Sequence, residues 1–429
     1  MTSSKFSVVV IGGGPAGLSA AIAASTDGAS VLLVDSDIRL GGILKQCIHD
    51  GFGVHRFDEN LTGPEYAYKD IKMLEQTNTY VLLQTTVTRV VKYDNSFLLT
   101  LCNRFGLVRI EAKTIVIATG CREKTSKHFA IHGSRPAGVM TAGIAQYFIN
   151  ILGQLPAKRA VISGSENIGM IVARRLTLEG AAVLGVYEQA GIPQGSLGNV
   201  VKCLNDFSIP LHTEHTVTRV SGGNRLKSAE IYRVDKNTNL IRGTENRIQC
   251  DTLILSVGLI PDNDIPYSLG VPLSEDTGGP VCDHNYMTMV DGVFCCGNST
   301  HINSLVDHIS ESGEKAGLSA ARYMARDRRL VEIRTSKDFL YAVPNYFDID
   351  MLHGDVFLYF RPREIAENMI VKVYIDNHEV SSQEYHTLRP PETERILIDL
   401  NANFSASLTT ESRVELRMEK GKDTRKEEK

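Results

Sequence analysis

Gly12, Gly14 and Gly17 stand in the spacing G-x-G-x-x-G, directly after the apolar run Val8–Ile11. The first glycine permits a tight turn. The second lets a pyrophosphate come up to the backbone, and the third lets the following helix pack on the strand. Pro15 and Ala16 open an alanine-rich helical stretch, whose first turn offers free N–H groups and the positive end of a helix dipole to phosphates. Asp35 closes the next apolar run, 23 residues after Gly12, where a carboxylate accepts from a ribose hydroxyl. Strand, glycine turn, helix, strand and terminal acid together predict a unit that binds a dinucleotide.

The same order returns between Arg159 and Glu188. Gly164 and Gly169 hold the outer glycine positions, and Glu188, 24 residues after Gly164, corresponds to Asp35. The middle position is Glu166. A carboxylate there crowds and repels a pyrophosphate, because only glycine permits so close an approach. The chain thus has two dinucleotide-type units, one intact and one altered at a key position.

These units need elements to hold them, and 429 residues suffice for two or three domains with sizeable cores. A content of 42% apolar and 22% charged residues describes an ordinary soluble protein. The net charge of −4 argues against a nucleic-acid partner, which calls for a basic surface. No stretch approaches the roughly 20 apolar residues that span a bilayer. Eight cysteines in so long a chain do not make a disulfide framework, so a reducing cytoplasm is the expected location.

After Asp35 comes a glycine-containing loop, 40–57, and then a helix from Pro64 to Gln76. Alternating segments follow, and they predict a small antiparallel sheet feeding a buried parallel strand, Thr114–Ala118. A helix is expected from about Thr141 to Leu152, and another from about Ser304 to Arg326. Beyond Leu330 short alternating strands such as FLYAV, VFLYF and MIVKVYI predict an all-β, sandwich-like domain. The residues from Glu419 to Lys429 are nearly all charged and read as a disordered tail.

Three spaced motifs now line up: the fingerprint Gly12–Gly17, the T-x-x-x-A-T-G of Thr114–Gly120, and the T-x-x-x-G-V-F-x-x-G-N of Thr288–Asn298. In this combination the chain resembles the two-dinucleotide-domain flavoproteins, the pyridine-nucleotide oxidoreductases. Segments such as LGGILKQCIHDGFG, RPAGVMTAGIAQ and SLVDHISESGEKAG look like a bacterial branch of FAD/NAD-linked subunits that accompany glycerol-3-phosphate dehydrogenase-like flavoproteins. The resemblance spans residues 6–330. It implies an α/β fold with two Rossmann-like dinucleotide-binding domains, of FAD and NAD types, the second inserted in the first, plus a C-terminal all-β domain. The expected divisions are 1–125 with 262–330 for FAD, 126–261 for NAD, 331–418 for the β domain and 419–429 for the tail. The implied cofactors are FAD and, with Glu166 in question, NAD(H). The implied cofactor-binding residues are Gly12, Gly14, Pro15, Ala16, Gly17, Asp35, Gly42, Thr119, Gly120, Gly297 and Asn298 for FAD, and Gly164, Gly169 and Glu188 for the nicotinamide dinucleotide. The family usually has Asp where Asn298 stands. Asn keeps an acceptor oxygen for a ribityl hydroxyl and loses the charge.

Catalytic candidates are few. Cys47 lies in the loop where relatives carry a redox-active disulfide, but no C-x-x-C or C-x-x-x-x-C pair is present. It reads either as a lone reactive thiol, favoured by Lys45 and His49, or as a packed one. His308 and Glu311 are three apart on the last predicted helix and share a face with proton-transfer or interface character. Glu188 disfavours a 2′-phosphate and so NADP. The dispersed histidines and cysteines show no metal-ligand spacing. The leading reading is an FAD-dependent oxidoreductase passing electrons between NAD(H) and a partner dehydrogenase subunit or small acceptor. The alternatives are a flavin-containing assembly subunit with a degenerate nicotinamide site, and a thiol or peroxide reductase using Cys47.

Overall fold

The computed structural model describes residues 4–352, 354–399 and 408–421. Residues 122–260 form one compact unit, and the segments before and after them form the other.

In the outer unit, Ser4–Ile11 pairs in parallel with Val31–Val34 on one side and with Gly106–Ile117 on the other. Tyr80–Leu82 extends the sheet beyond Val31–Val34. Val8, Val9 and Val10 are all fully enclosed. That is why this strand is a continuous apolar run: a parallel strand covered on both faces has no solvent side on which to alternate. The strand Gly106–Ile117 has two neighbours on its far side. Its first part pairs antiparallel with Ser96–Asn103, and its end pairs in parallel with Val293–Cys295. The antiparallel segment expected to feed a buried strand is therefore continuous with it, within one seven-stranded sheet.

The helix Pro15–Thr26 packs on this sheet and alongside the long helix Val306–Ala321, which also touches the sheet through the Thr114 hydroxyl and the Ala320 carbonyl. Ala16, Leu18, Ala20, Ala21 and Ala24 of Pro15–Thr26 are buried. Small residues set the distance between the two helices. A Cβ on Gly313 would lie 2.1 Å from the carbonyl oxygen of Ala16, and one on Gly317 would lie 2.1 Å from that of Ala20. The helix Gly63–Leu74 starts with a capping box, in which the Thr62 N–H and hydroxyl both donate to Glu65, at 2.8 and 2.7 Å.

The C-terminal strands form a five-stranded and a three-stranded sheet. The five-stranded sheet contains Leu330–Thr335, Tyr346–Asp348, Ala366–Ile375, His378–Leu388 and Val414–Lys420. The three-stranded sheet contains Phe339–Val343, Asp355–Pro362 and Glu394–Asp399. Phe347, Leu358, Phe360, Val371, Val373, Ile396 and Leu416 belong to their shared apolar core. The last strand runs on to Lys420: Glu419 pairs with Ile370 and Lys420 with Met369. Both therefore belong to the sheet and not to the charged tail, whose residues 422–429 lie outside the described residues.

The inner unit repeats the first plan. Arg159–Ser163 is flanked in parallel by Ala182–Tyr187 and Thr252–Leu255, with Leu211–His212 and Val139–Thr141 at the edges. The helices Ala142–Asn150 and Asn167–Leu178 contribute Ala142, Ala145, Met170, Ala173 and Leu176 to its core. A second sheet of four strands contains His132–Gly133, His215–Gly222, Leu226–Arg233 and Asn246–Gln249. A Rossmann-like fold is thus inserted in another. Among the described residues no helix is long and apolar enough to cross a membrane.

Gly317→Val is expected to lower stability by about 3 kcal/mol, because added bulk between touching backbones forces them apart. Urea unfolding measures this. An unchanged midpoint would show that the two helices separate without cost.

Candidate functional site

The first fingerprint is a turn whose outer glycines are demanded by the protein itself. Gly12 has φ +108°, and a Cβ there would lie 2.3 Å from the carbonyl oxygen of Ala118. A Cβ on Gly17 would lie 1.7 Å from the carbonyl oxygen of Gly12. Gly14 differs. It is the residue before the helix, with φ −78°, a value any residue adopts, and its Cβ would meet only the Cα of Gly42, at 3.8 Å. Within the protein nothing else requires glycine at position 14, so what it provides is an open surface. Gly42, with φ +55°, forms the opposite wall, and Gly41 donates to the carbonyl of Gly13 at 2.8 Å. Asp35 holds the turn: one carboxylate oxygen accepts from the N–H of Gly13, and the other accepts from Asp37 at 2.7 Å. Pro15 occupies the first turn of the helix, where its missing N–H costs nothing.

The other motifs of the outer unit join this groove by direct contact. Thr119 follows Ala118, and its hydroxyl donates to the carbonyl of Asp262 at 2.7 Å. Gly120, with φ +73°, accepts from the N–H of Asp262 at 2.9 Å. Gly297, with φ +66°, lies against Ala16, where a Cβ would come within 2.8 Å of the alanine methyl. Asn298 is tied inward, since its side-chain oxygen accepts from the N–H of Asn303 at 2.9 Å. One lone pair of the oxygen assigned to a ribityl hydroxyl is thus engaged within the protein, leaving the second for a ligand.

The second fingerprint keeps the turn and has Glu166 in place of the middle glycine. Gly164 has φ +90°, with a Cβ position 1.9 Å from the carbonyl oxygen of Ser256, and Gly169 donates to the Ser256 hydroxyl at 3.0 Å. Glu188 repeats the action of Asp35. It accepts from the N–H and hydroxyl of Ser165 at 2.9 and 2.7 Å, and from the N–H of Ala190 at 2.8 Å. Glu166 precedes the helix Asn167–Leu178 at the place of Gly14, with φ −65°. The chain also closes over the start of this helix. Gln194 donates to the Ser165 hydroxyl at 2.9 Å, and Asn167 accepts from the N–H of Ser196 at 2.9 Å and from Asn199 at 2.8 Å.

Of the catalytic candidates, Cys47 is 7% exposed, and burial pushes its thiol up to about 12. Negligible thiolate exists at neutral pH, so the geometry favours the packed reading over the reactive one. His308 and Glu311 are on one helix but face different partners. Glu311 accepts from Arg395 at 2.7 Å, and burial raises its carboxyl despite that cation. His308 stands between His55 and Tyr359, with ring centroids 6.2 and 5.5 Å away. Burial first, then the charges of Arg395 and His55, push its imidazole down to about 4, so it is neutral at neutral pH.

The sequence places Asp307 on the same helix as His308, and Asn303 just before it, but does not give their contacts. His55 donates its backbone N–H to Asp307 at 3.0 Å, while the other Asp307 oxygen is buried without a partner. The side-chain oxygen of Asn303 is likewise buried and unpartnered. The partner of Asp307 is set by tertiary contact across 252 residues of chain.

A model of the pyridine nucleotide-disulphide oxidoreductase family matches residues 6–316, and the chain belongs to that family. An opine oxidase subunit of Agrobacterium tumefaciens is 25% identical over 358 residues, covering 78% of this chain and 68% of that protein. The hydrogen cyanide synthase subunit HcnB of Pseudomonas aeruginosa is 25% identical over 339 residues, covering 74% of this chain and 69% of its own. The crystal structure of T. acidophilum thioredoxin reductase matches with a TM-score of 0.62 at 24% identity, over 74% of this chain and 98% of that one, which shows a shared fold. The family's enzymes are FAD-dependent oxidoreductases that use a nicotinamide dinucleotide.

The first groove fits FAD. Gly42 packs so closely on Gly14 that a Cβ on it would lie 2.9 Å from the Gly14 Cα, and Gly14 leaves the helix start free of a side chain, where a dinucleotide's phosphates are held. FAD supplies the redox chemistry, and the protein positions it and tunes it. In the second unit Glu166 stands at the residue before the helix, where the first unit has Gly14.

Gly14→Glu is expected to leave a folded protein that no longer retains FAD, since the position is sterically open in the protein but faces the phosphates. Circular dichroism with flavin absorbance after desalting reads both. Full FAD content in the variant would remove Gly14 from the site. A second outcome concerns pH. The His308 imidazole is held below its ordinary value, so it binds fewer protons folded than unfolded, and stability falls as pH drops below about 6.5. Wild type is expected to lose more stability than His308→Gln between about pH 7 and about pH 5. Parallel losses in urea unfolding would contradict the burial of a neutral ring.

Proposed function

We propose that this chain is an FAD-dependent oxidoreductase that works beside a separate dehydrogenase-type subunit, with NAD(H) as the other electron partner and Glu166 governing access of that nucleotide. The observation that carries the flavin assignment is the helix start left free of a side chain at Gly14, with Gly42 packed on it, together with the Gly12–Ala118 and Gly297–Ala16 contacts that bring the three motifs together. The subunit reading is supported by the relatives described as subunits of an opine oxidase and of a hydrogen cyanide synthase. A helix start in the outer unit, Val306 onward, gives the flavin region a source of positive potential that favours negative charge on a reduced ring.

A second reading is favoured by Glu166 itself: a flavin-containing assembly subunit whose nicotinamide groove has become a purely structural turn. The two readings differ in what NADH does. In an anaerobic stopped-flow experiment, NADH is expected to reduce the wild-type flavin slowly or only at high concentration. Glu166→Gly is expected to lower the NADH needed on the order of tenfold, because it removes a like charge from the phosphate position, with FAD content unchanged. Absence of reduction in both proteins selects the assembly reading. Tight, fast reduction of wild type with no gain in the variant takes Glu166 out of the groove.

A further inference from the structure

The segment 300–308 links Asn298, in the third flavin motif, to the first turn of the helix Val306–Ala321. Its inner anchor is the bond from the Asn303 N–H to Asn298. Its outer anchor comes from the C-terminal three-stranded sheet. The hydroxyl of Thr393 lies 3.1 Å from the carbonyl oxygen of Ile302, 3.0 Å from a guanidinium nitrogen of Arg361 and 3.1 Å from the hydroxyl of Tyr341. A hydroxyl has one proton to give and two lone pairs. The Ile302 carbonyl can only accept, so Thr393 gives its proton there. Arg361 can only donate, and Tyr341 must therefore donate too. All three capacities of one hydroxyl are used. The guanidinium of Arg361 also sits 5.5 Å from the Tyr341 ring centre, which holds the two donors in place.

The other strands of that sheet bear on the same segment. Tyr359 stands between His301 and His308, with centroids 5.2 and 5.5 Å away, and Arg395 binds Glu311. Tyr341 and Tyr359 thus lie against the rings of His301 and His308, Thr393 holds the Ile302 carbonyl, and Arg395 holds Glu311 one turn further along the helix.

We propose that the C-terminal three-stranded sheet is a positioning element for the flavin site, acting through the Thr393 hydroxyl on the Ile302 carbonyl. Thr393 touches no reacting atom. It fixes the segment that carries Asn303 and the helix start, and so fixes the polar groups beside the flavin. The proposal rests on the FAD assignment above and extends it to residues beyond the region that the family model matches.

The test uses the full chain with FAD, read by the visible spectrum and by spectroelectrochemical titration. Thr393→Val is expected to bind as much FAD as wild type but to change the ratio of oxidised to reduced flavin at the wild-type midpoint about fivefold, the size of one hydrogen bond. Thr393→Ser, which restores the hydroxyl, is expected to titrate as wild type. Tyr341→Phe, which removes one donor, is expected to shift the ratio in the same direction by less. FAD-loaded Thr393→Val with a wild-type spectrum and titration overturns the proposal. If Thr393→Val does not fold, Tyr341→Phe decides: a shift supports positioning, and none overturns it. Wild-type protein that stays colourless with FAD rejects the flavin assignment itself, and the positioning role with it.

Discussion

The flavin groove depends on how closely two helices approach each other. Pro15–Thr26 and Val306–Ala321 meet backbone to backbone, because Gly313 and Gly317 place no side chain between them and Ala16 and Ala20. This contact sets where the start of the second helix stands. The same helix fixes the third motif, since the Ser312 hydroxyl accepts from the N–H of Gly297 at 2.9 Å. Gly297 in turn rests on Ala16, beside the fingerprint turn. Side chains of ordinary size at the seam would move the third motif away from the first by about their own width. Motifs separated by some 280 residues of chain (12 to 297) would then no longer share a groove.

The two dinucleotide-type units show which parts of such a site belong to folding and which to the ligand. Asp35 and Glu188 both accept from the N–H that follows the first glycine, Gly13 in one unit and Ser165 in the other. Both acids therefore organise the turn whatever else they bind. The units diverge at Gly14 and Glu166, where the protein itself imposes no left-handed backbone. A carboxylate at a helix start is also electrostatically comfortable, because the dipole end is positive. Glu166 therefore meets no backbone requirement of the turn that only glycine could satisfy.

Much of this was legible in the sequence, for identifiable reasons. Glycine spacing and a terminal acid report backbone requirements directly, so both fingerprints could be read. The alternation after Leu330 reports sheets with one buried face, and the two C-terminal sheets follow from it. What the sequence could not convey is contact between distant segments. Nothing local marks Gly313 and Gly317 as a seam, or Thr393 as the partner of Ile302. The inward bond of Asn298 is local but equally unannounced: the motif gives an acceptor oxygen but not that Asn303, five residues on, already uses part of it. Cys47 is the converse. Lys45 and His49 suggest a reactive thiol, but Lys45 bonds to Asp37 and to the carbonyl of Arg39, and burial raises the thiol.

The insertion of one unit within the other has a consequence for synthesis of the chain. The inner unit is continuous, and its strands are complete once Thr252–Leu255 has been made. The outer unit must wait. Its central strand Gly106–Ile117 keeps an open edge until Val293–Cys295 arrives, and the fingerprint helix lacks its cover until Val306–Ala321 is translated. An exposed apolar strand edge is a hazard for a nascent chain. The order of translation therefore leaves the flavin-binding unit unfinished and in need of protection for longer than the inner unit, although its fingerprint precedes that unit in the chain.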